Sequence, residues 1–201
     1  MDNQQATDIE IGWLAGIIDG EGWIGMSLET EHFYRKGYHT RQKSVKVEIK
    51  VVNTDPAIIV QTATIMRKLG VNPYLRSSSR TGEKRDVYEA SIKRMAPVQR
   101  VLQVIQPHLV GTKQQRANIM LQFIELRQTN PGVPNPAYAN GAKGRHGPGT
   151  IRPYTVEELE LVEQCRALQA RSGASETTRA ASAAILAAMK TKVARGSAAP
   201  E

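Results

Sequence analysis

Leu14-Ala15-Gly16-Ile17-Ile18-Asp19-Gly20-Glu21-Gly22 ends an apolar run from residue 9 that reads as one helix stopping at Gly20-Glu21-Gly22. Gly12, Gly16 and Gly20 recur at i, i+4 and i+8 with Ala15 beside them, so one face of that helix carries almost no side chains. Each interior glycine costs about 0.5–1 kcal/mol relative to alanine, a cost that close approach of another backbone would offset. The partner is either another helix of this chain or the same helix of a second copy. Asp19 and Glu21 fall at the helix C-terminus, where the macrodipole is negative and carboxylates are disfavoured by a few tenths of a kcal/mol. A cation there reverses the sign, and a carboxylate beside exposed helix-end carbonyls suits a hard divalent ion such as Mg2+. The plain alternative is an exposed surface acid next to a C-capping glycine.

Downstream, Ile24, Met26 and Leu28 alternate through residues 23 to 29, which reads as a strand. A polar, basic stretch fills residues 30 to 43. Val45, Val47, Ile49 and Val51 then share one face of a second strand, with Lys46, Glu48 and Lys50 on the other. Asp55-Pro56 starts a helix that Gly70 stops. Residues 74 to 80 and 86 to 93 form a hairpin around Thr81-Gly82-Glu83. Two helices follow, Pro97 to about Gln106 and Lys113 to Gln128. The order through residue 128 predicts an α+β fold with a mostly antiparallel sheet.

Residues 129 to 153, rich in Gly, Pro and basic residues, break this pattern and are expected as an irregular linker or a DNA-contacting arm. Thr155-Val156-Glu157-Glu158 fits a capping box opening a helix through Leu168, and an Ala-rich helix spans about 176 to 194. The expected organisation is a core over 1–128, an insertion over 129–153, and a helical region over 154–201 packed on the core.

The chain has 201 residues, of which 40 % are hydrophobic, a length that suits one well-buried domain. It holds no apolar run of about eighteen residues, so no membrane span is expected. Met1-Asp2-Asn3-Gln4-Gln5 lacks the marks of a secretory or organelle-targeting leader. The protein is expected to act inside the compartment of its own gene, the bacterial or phage cytoplasm or an organelle matrix. Cys165 is the only cysteine, which excludes an intramolecular disulfide and a Cys-cluster zinc site. Lys and Arg number 27 against 19 acids, a net charge of +8 compatible with nucleic acid or an anionic membrane surface.

Trp13 through Gly22 resembles the signature of the LAGLIDADG homing endonucleases, here in the variant LAGIIDGEG. The order of the chain is similar to the single-motif, homodimeric, intron-encoded members. The resemblance implies an αββαββα core with a saddle-shaped antiparallel sheet plus C-terminal helices. It also implies a site-specific endonuclease that cuts both strands of a long, nearly palindromic duplex with divalent metal. Mg2+ is the expected cofactor, with Mn2+ or Ca2+ able to occupy the same site.

By the same resemblance Glu21 is the metal-binding catalytic acid and Gly20 offers its carbonyl to the metal. Lys113, within Lys113-Gln114-Gln115-Arg116-Ala117-Asn118, is the active-site lysine, and Asn53 stands where a Gln usually positions water. Arg179 falls in a stretch similar to the family's C-terminal region. Gly12, Trp13, Ala15, Gly16 and Asp19 are expected at a helix–helix dimer interface. On the exposed sheet face, Lys46, Glu48, Lys50, Arg76 and Ser78 are expected to read bases, with Arg35, Arg41, Arg80, Lys84 and Arg85 also on DNA. Two other readings stay open: an RNA maturase with intron RNA as partner, and a non-catalytic DNA-binding regulator on the same scaffold.

Overall fold

Thr7 and Glu10 build a reciprocal cap. The Glu10 N–H donates to Thr7 Oγ1 at 3.3 Å, and the Thr7 N–H donates to the Glu10 carboxylate at 2.9 Å. In the computed structural model this cap opens α1, Asp8–Glu21. Residues 5–35, 38–79, 86–134, 150–169 and 176–197 are described. Leu14, Ala15 and Ile18 turn inward from α1. Glu10 also pairs with Lys68 at 2.6 Å, tying the start of α1 to the end of the next helix.

The chain leaves α1 straight into β1, Gly22–Arg35, which folds back antiparallel on β2, Tyr38–Asn53. Their register runs unbroken from Gly22↔Val51 to Arg35↔Tyr38. The polar stretch at 30–43 is therefore part of one long hairpin. The backbone ladder thus continues past the apolar alternation that marks the strands in the sequence. Asp55 caps α2, Pro56–Lys68, by accepting the Ala57 N–H at 2.8 Å, and Gly70 ends the turn with φ +73°. β3, Tyr74–Ser79, and β4, Asp86–Ile92, complete a sheet of order β1-β2-β4-β3.

α3, Met95–Ile105, leads through a 3-10 turn at Gln106–His108 to α4, Gly111–Thr129. Ile24, Met26, Val47, Ile49 and Val51 meet Leu14, Ile18, Leu102, Ile105 and Phe123 between sheet and helices, all at most 1 % exposed. Burial of side chains this size stabilises by roughly 1.5–3 kcal/mol each. The expected irregular segment is flanked at its ends by a two-residue ladder of β5, Val133–Pro134, with β6, Thr150–Ile151. Residues 135–149 lie outside the described part.

α5, Val156–Gln169, and α6, Glu176–Ser197, add Leu159, Val162, Cys165, Leu186 and Met189 to the same apolar cluster. Arg127 of α4 holds α5 in place. It lies 3.4 Å from Glu158, which is 0 % exposed, donates to the Arg152 carbonyl at 2.8 Å, and stacks 4.5 Å from the Tyr154 ring centroid. The Tyr154 hydroxyl accepts the Val45 N–H at 2.8 Å, a backbone group beyond the reach of β4, which pairs only with Ile49–Asn53. At the other edge of the sheet, Gln169 meets β1. In the amide orientation that satisfies both partners, it donates to the Met26 carbonyl at 3.2 Å and accepts the Met26 N–H at 2.9 Å. Gly25 makes room for it, because a Cβ there would lie 1.7 Å from Gln169 Nε2.

Candidate active site

The end of α1 is shaped by Gly22. Its N–H satisfies the carbonyls of Ile17 and Ile18, and a Cβ there would lie 2.7 Å from the Ile18 Cα. The abrupt turn leaves Glu21 exposed on the rim of a shallow depression lined by Val52, Asn53, Thr54 and Val87. Asn53 accepts the Asp55 N–H at 2.8 Å through Oδ1, so it also shapes the turn into α2.

α4 is brought to this point by Asp19, whose carboxylate accepts the Val110 N–H at 3.1 Å, just before the first residue of α4. Lys113 in the first turn of α4 then donates to the Ile18 and Asp19 carbonyls, each at 2.6 Å. An ammonium on these terminal carbonyls sits at the negative end of the α1 dipole. Burial pushes the Lys113 pKa below the usual lysine value, with the Arg116 charge adding to the effect, while Asp19 and Glu21 oppose it. Lys113, Glu21, Asn53 and the α1 terminus, chosen from separate parts of the sequence, thus stand together.

The oxygen donors at the α1 terminus, a carboxylate and backbone carbonyls, are of the kind a hard divalent ion takes. Among the described residues no group of three or more His, Cys, Asp or Glu could hold a metal ion.

A Cβ built on Gly12, Gly16 or Gly20 meets nothing within 4 Å. All three glycines are exposed, and Ile9, one turn before Gly12, is 85 % exposed. Trp13 is half-buried against the core. Ala15 corrects the expectation made for it: at 1 % exposure it points into the chain's own core, three residues round the helix from Gly12, and is not on the open face. Asp19 is engaged with Val110 in its own chain.

The ladder puts Lys46, Glu48, Lys50, Arg76 and Ser78 on one face of the sheet. Lys50 pairs in register with Ser91, Tyr74 with Ser91, and Arg76 with Glu89, and strand periodicity carries the rest. Trp23 shares this face, with Lys50 Nζ 5.7 Å from its ring centroid. The charges are mixed: Lys46 pairs with Glu29 at 2.5 Å and Lys93 with Glu48 at 3.2 Å. Arg80, Lys84 and Arg85 lie outside the described residues, as do the side chains of Arg35, Arg41 and Arg179. Arg127, Tyr154 and Gln169 carry no mark in the sequence, since each acts through a partner distant along the chain. Arg116 offers one signal only, a charge spaced among the apolar positions of α4.

No protein-family model and no curated protein matches the chain. Solved structures do. The archaeal intron-encoded homing endonuclease I-Vdi141I, complexed with DNA, is 11 % identical with a TM-score of 0.56, over 94 % of this chain and 96 % of that one. The homing endonuclease I-TnaI is 14 % identical with a TM-score of 0.51, over 93 % and 99 %. I-CvuI, complexed with a DNA target in the presence of Mg, is 18 % identical with a TM-score of 0.51, over 84 % and 85 %. The chain has the LAGLIDADG homing-endonuclease fold. Among the described residues no helix is long and apolar enough to cross a membrane.

Proposed function

We propose that the chain is one subunit of a homodimeric, site-specific DNA endonuclease that hydrolyses phosphodiester bonds with a divalent cation. The carrying observation is the end of α1. There, exposed Glu21, two helix-end carbonyls and the half-buried Lys113 ammonium meet beside a helix face bare of side chains. Its DNA partner is further supported by I-Vdi141I and I-CvuI, which share the fold and were solved with DNA.

The bare glycine face fits the same helix of a second copy. Pairing would bring two α1 ends together, so that each subunit contributes a Glu21 carboxylate and a Gly20 carbonyl to one donor set. Two-fold symmetry in turn implies a nearly palindromic target. Glu21 and the Gly20 carbonyl of each subunit would hold Mg2+, with Mn2+ or Ca2+ as substitutes. Such an ion supplies charge neutralisation at the phosphate and a more acidic water. Lys113, its affinity for a proton reduced by burial, is suited to neutralise charge developing on phosphate or to exchange a proton with water. Asn53 orients solvent in the depression beside Glu21. Lys46, Glu48, Lys50, Arg76 and Ser78 face base edges, and the basic loops, including Arg80, Lys84 and Arg85, neutralise backbone phosphates.

The test uses a duplex recovered from a randomised pool by binding to the chain in Ca2+, then challenged with Mg2+. Wild type should cut both strands near the centre, and Glu21→Gln should bind the same duplex without cutting. Efficient cleavage or nicking by Glu21→Gln removes Glu21 from the metal site, and failure of wild type to cut any recovered duplex removes the nuclease reading.

A further inference from the structure

Arg116 lies one turn beyond Lys113 on α4 and is 8 % exposed. Its Nε is sealed from solvent without a hydrogen-bond partner. Among the described residues Arg116 forms no side-chain hydrogen bond and no ion pair. A guanidinium offers five donors in a planar fork and stays charged, so burying one without an acceptor is costly.

The surroundings add cations instead of a counter-charge. Arg116 stands close enough to Lys113 to depress the lysine's proton affinity. Arg116 and Arg166 both act electrostatically on Cys165, and burial weakens proton binding at both arginines. Cys165 is 0 % exposed and its thiol is pushed up to about 11, so it stays neutral near pH 7 and balances neither guanidinium. The carboxylates acting on Lys113 are Asp19 and Glu21; among the described residues no carboxylate acts comparably on Arg116 or Arg166.

We propose that Arg116 is a phosphate-binding residue, whose unpartnered guanidinium beside Lys113 takes a backbone phosphate of bound duplex DNA. The inference rests on the nuclease reading above. A phosphate supplies two oxygens to the fork and the missing negative charge, in a position where water competes poorly. Binding would thus relieve an electrostatic penalty carried by the unliganded chain, and Arg116 would hold the phosphate backbone independently of base sequence.

The experiment uses the full chain and the duplex recovered with wild type, and compares wild type with Arg116→Met and Arg116→Lys. Binding is followed by fluorescence anisotropy across a salt series, and melting is recorded alongside. Arg116→Met should reduce the slope of log K against log salt by about 0.9 for each phosphate it no longer neutralises. It should also slow cleavage by about 100-fold, the effect of removing one preorganised donor. Its melting temperature should hold or rise, because an unpaired buried charge is gone. Arg116→Lys should regain part of the slope. An unchanged slope in Arg116→Met overturns the proposal, whatever its melting temperature or rate, and leaves Arg116 as a structural cation while the nuclease reading stands. A wild-type chain that binds no duplex removes both.

Discussion

Replacing Gly12 and Gly16 together by alanine sets two effects of opposite sign against each other. Inside one chain the new methyls meet nothing within 4 Å, so they add no clash. Each glycine in a helix interior destabilises by about 0.5–1 kcal/mol relative to alanine, so the isolated fold should gain roughly 1–2 kcal/mol from the pair. If the face instead packs on the same face of a second chain, four methyls enter one seam whose closeness depends on missing side chains. Overpacking of this kind costs about 1–3 kcal/mol at an interface, enough to weaken association by roughly 5- to 150-fold. Sedimentation velocity over a concentration series gives the association constant, and urea unfolding at the lowest concentration gives the stability of the single chain. The variant should dissociate at concentrations where wild type is dimeric, unfold at higher urea when monomeric, and lose double-strand cleavage. A dimer of undiminished strength would refute the placement of the interface on this face, and a destabilised monomer would show that the face is packed within the chain.

Arg127→Met should destabilise by about 3 kcal/mol, because it leaves Glu158, 0 % exposed, without its cation. Adding Glu158→Gln to that variant should recover part of the loss in urea unfolding; a double variant no better than the single one would deny the pair its role. Cys165 has its pKa raised from 9.0 to about 11 in the folded chain, so its contribution is intact below pH 9 and is lost as pH rises from 9 towards 11. A shift of that size corresponds to about 2–3 kcal/mol. Lys113, with a lowered pKa, acts in the opposite direction near the top of that window, and comparison of wild type with Cys165→Ala across pH 8 to 11 isolates the thiol. Parallel stability curves for the two would contradict a buried, neutral Cys165.

The helix–strand–strand–helix order is legible because its segments bury one face, and burial writes a period into the sequence. Leu14 and Ile18 report the inner face of α1, and Ile24, Met26, Val45, Val47, Ile49 and Val51 report the inner face of the hairpin. The ladder from residue 30 to residue 43 runs through polar sequence without an apolar alternation to read. Ala15 misleads for a related reason. Smallness marks a residue as able to permit close approach, but the direction of approach is set by its angle round the helix, and Ala15 lies on the same buried side as Leu14 and Ile18. Glu21 and Lys113 stand out in the sequence through the motifs that carry the resemblance, whereas Arg127, Tyr154 and Gln169 act over separations of 25 residues or more and carry no local signature.

The two ends that form the candidate site depend on each other. α1 has no basic residue in its last turn, so its terminal carbonyls need a cation from elsewhere. α4 has no side-chain cap of its own, so its start needs an acceptor from elsewhere. Lys113 answers the first need at 2.6 Å and Asp19 the second at 3.1 Å. Each helix therefore leaves unfinished what the other completes. Gly22 turns the chain away at this point, and Glu21 stands exposed at the foot of the helix.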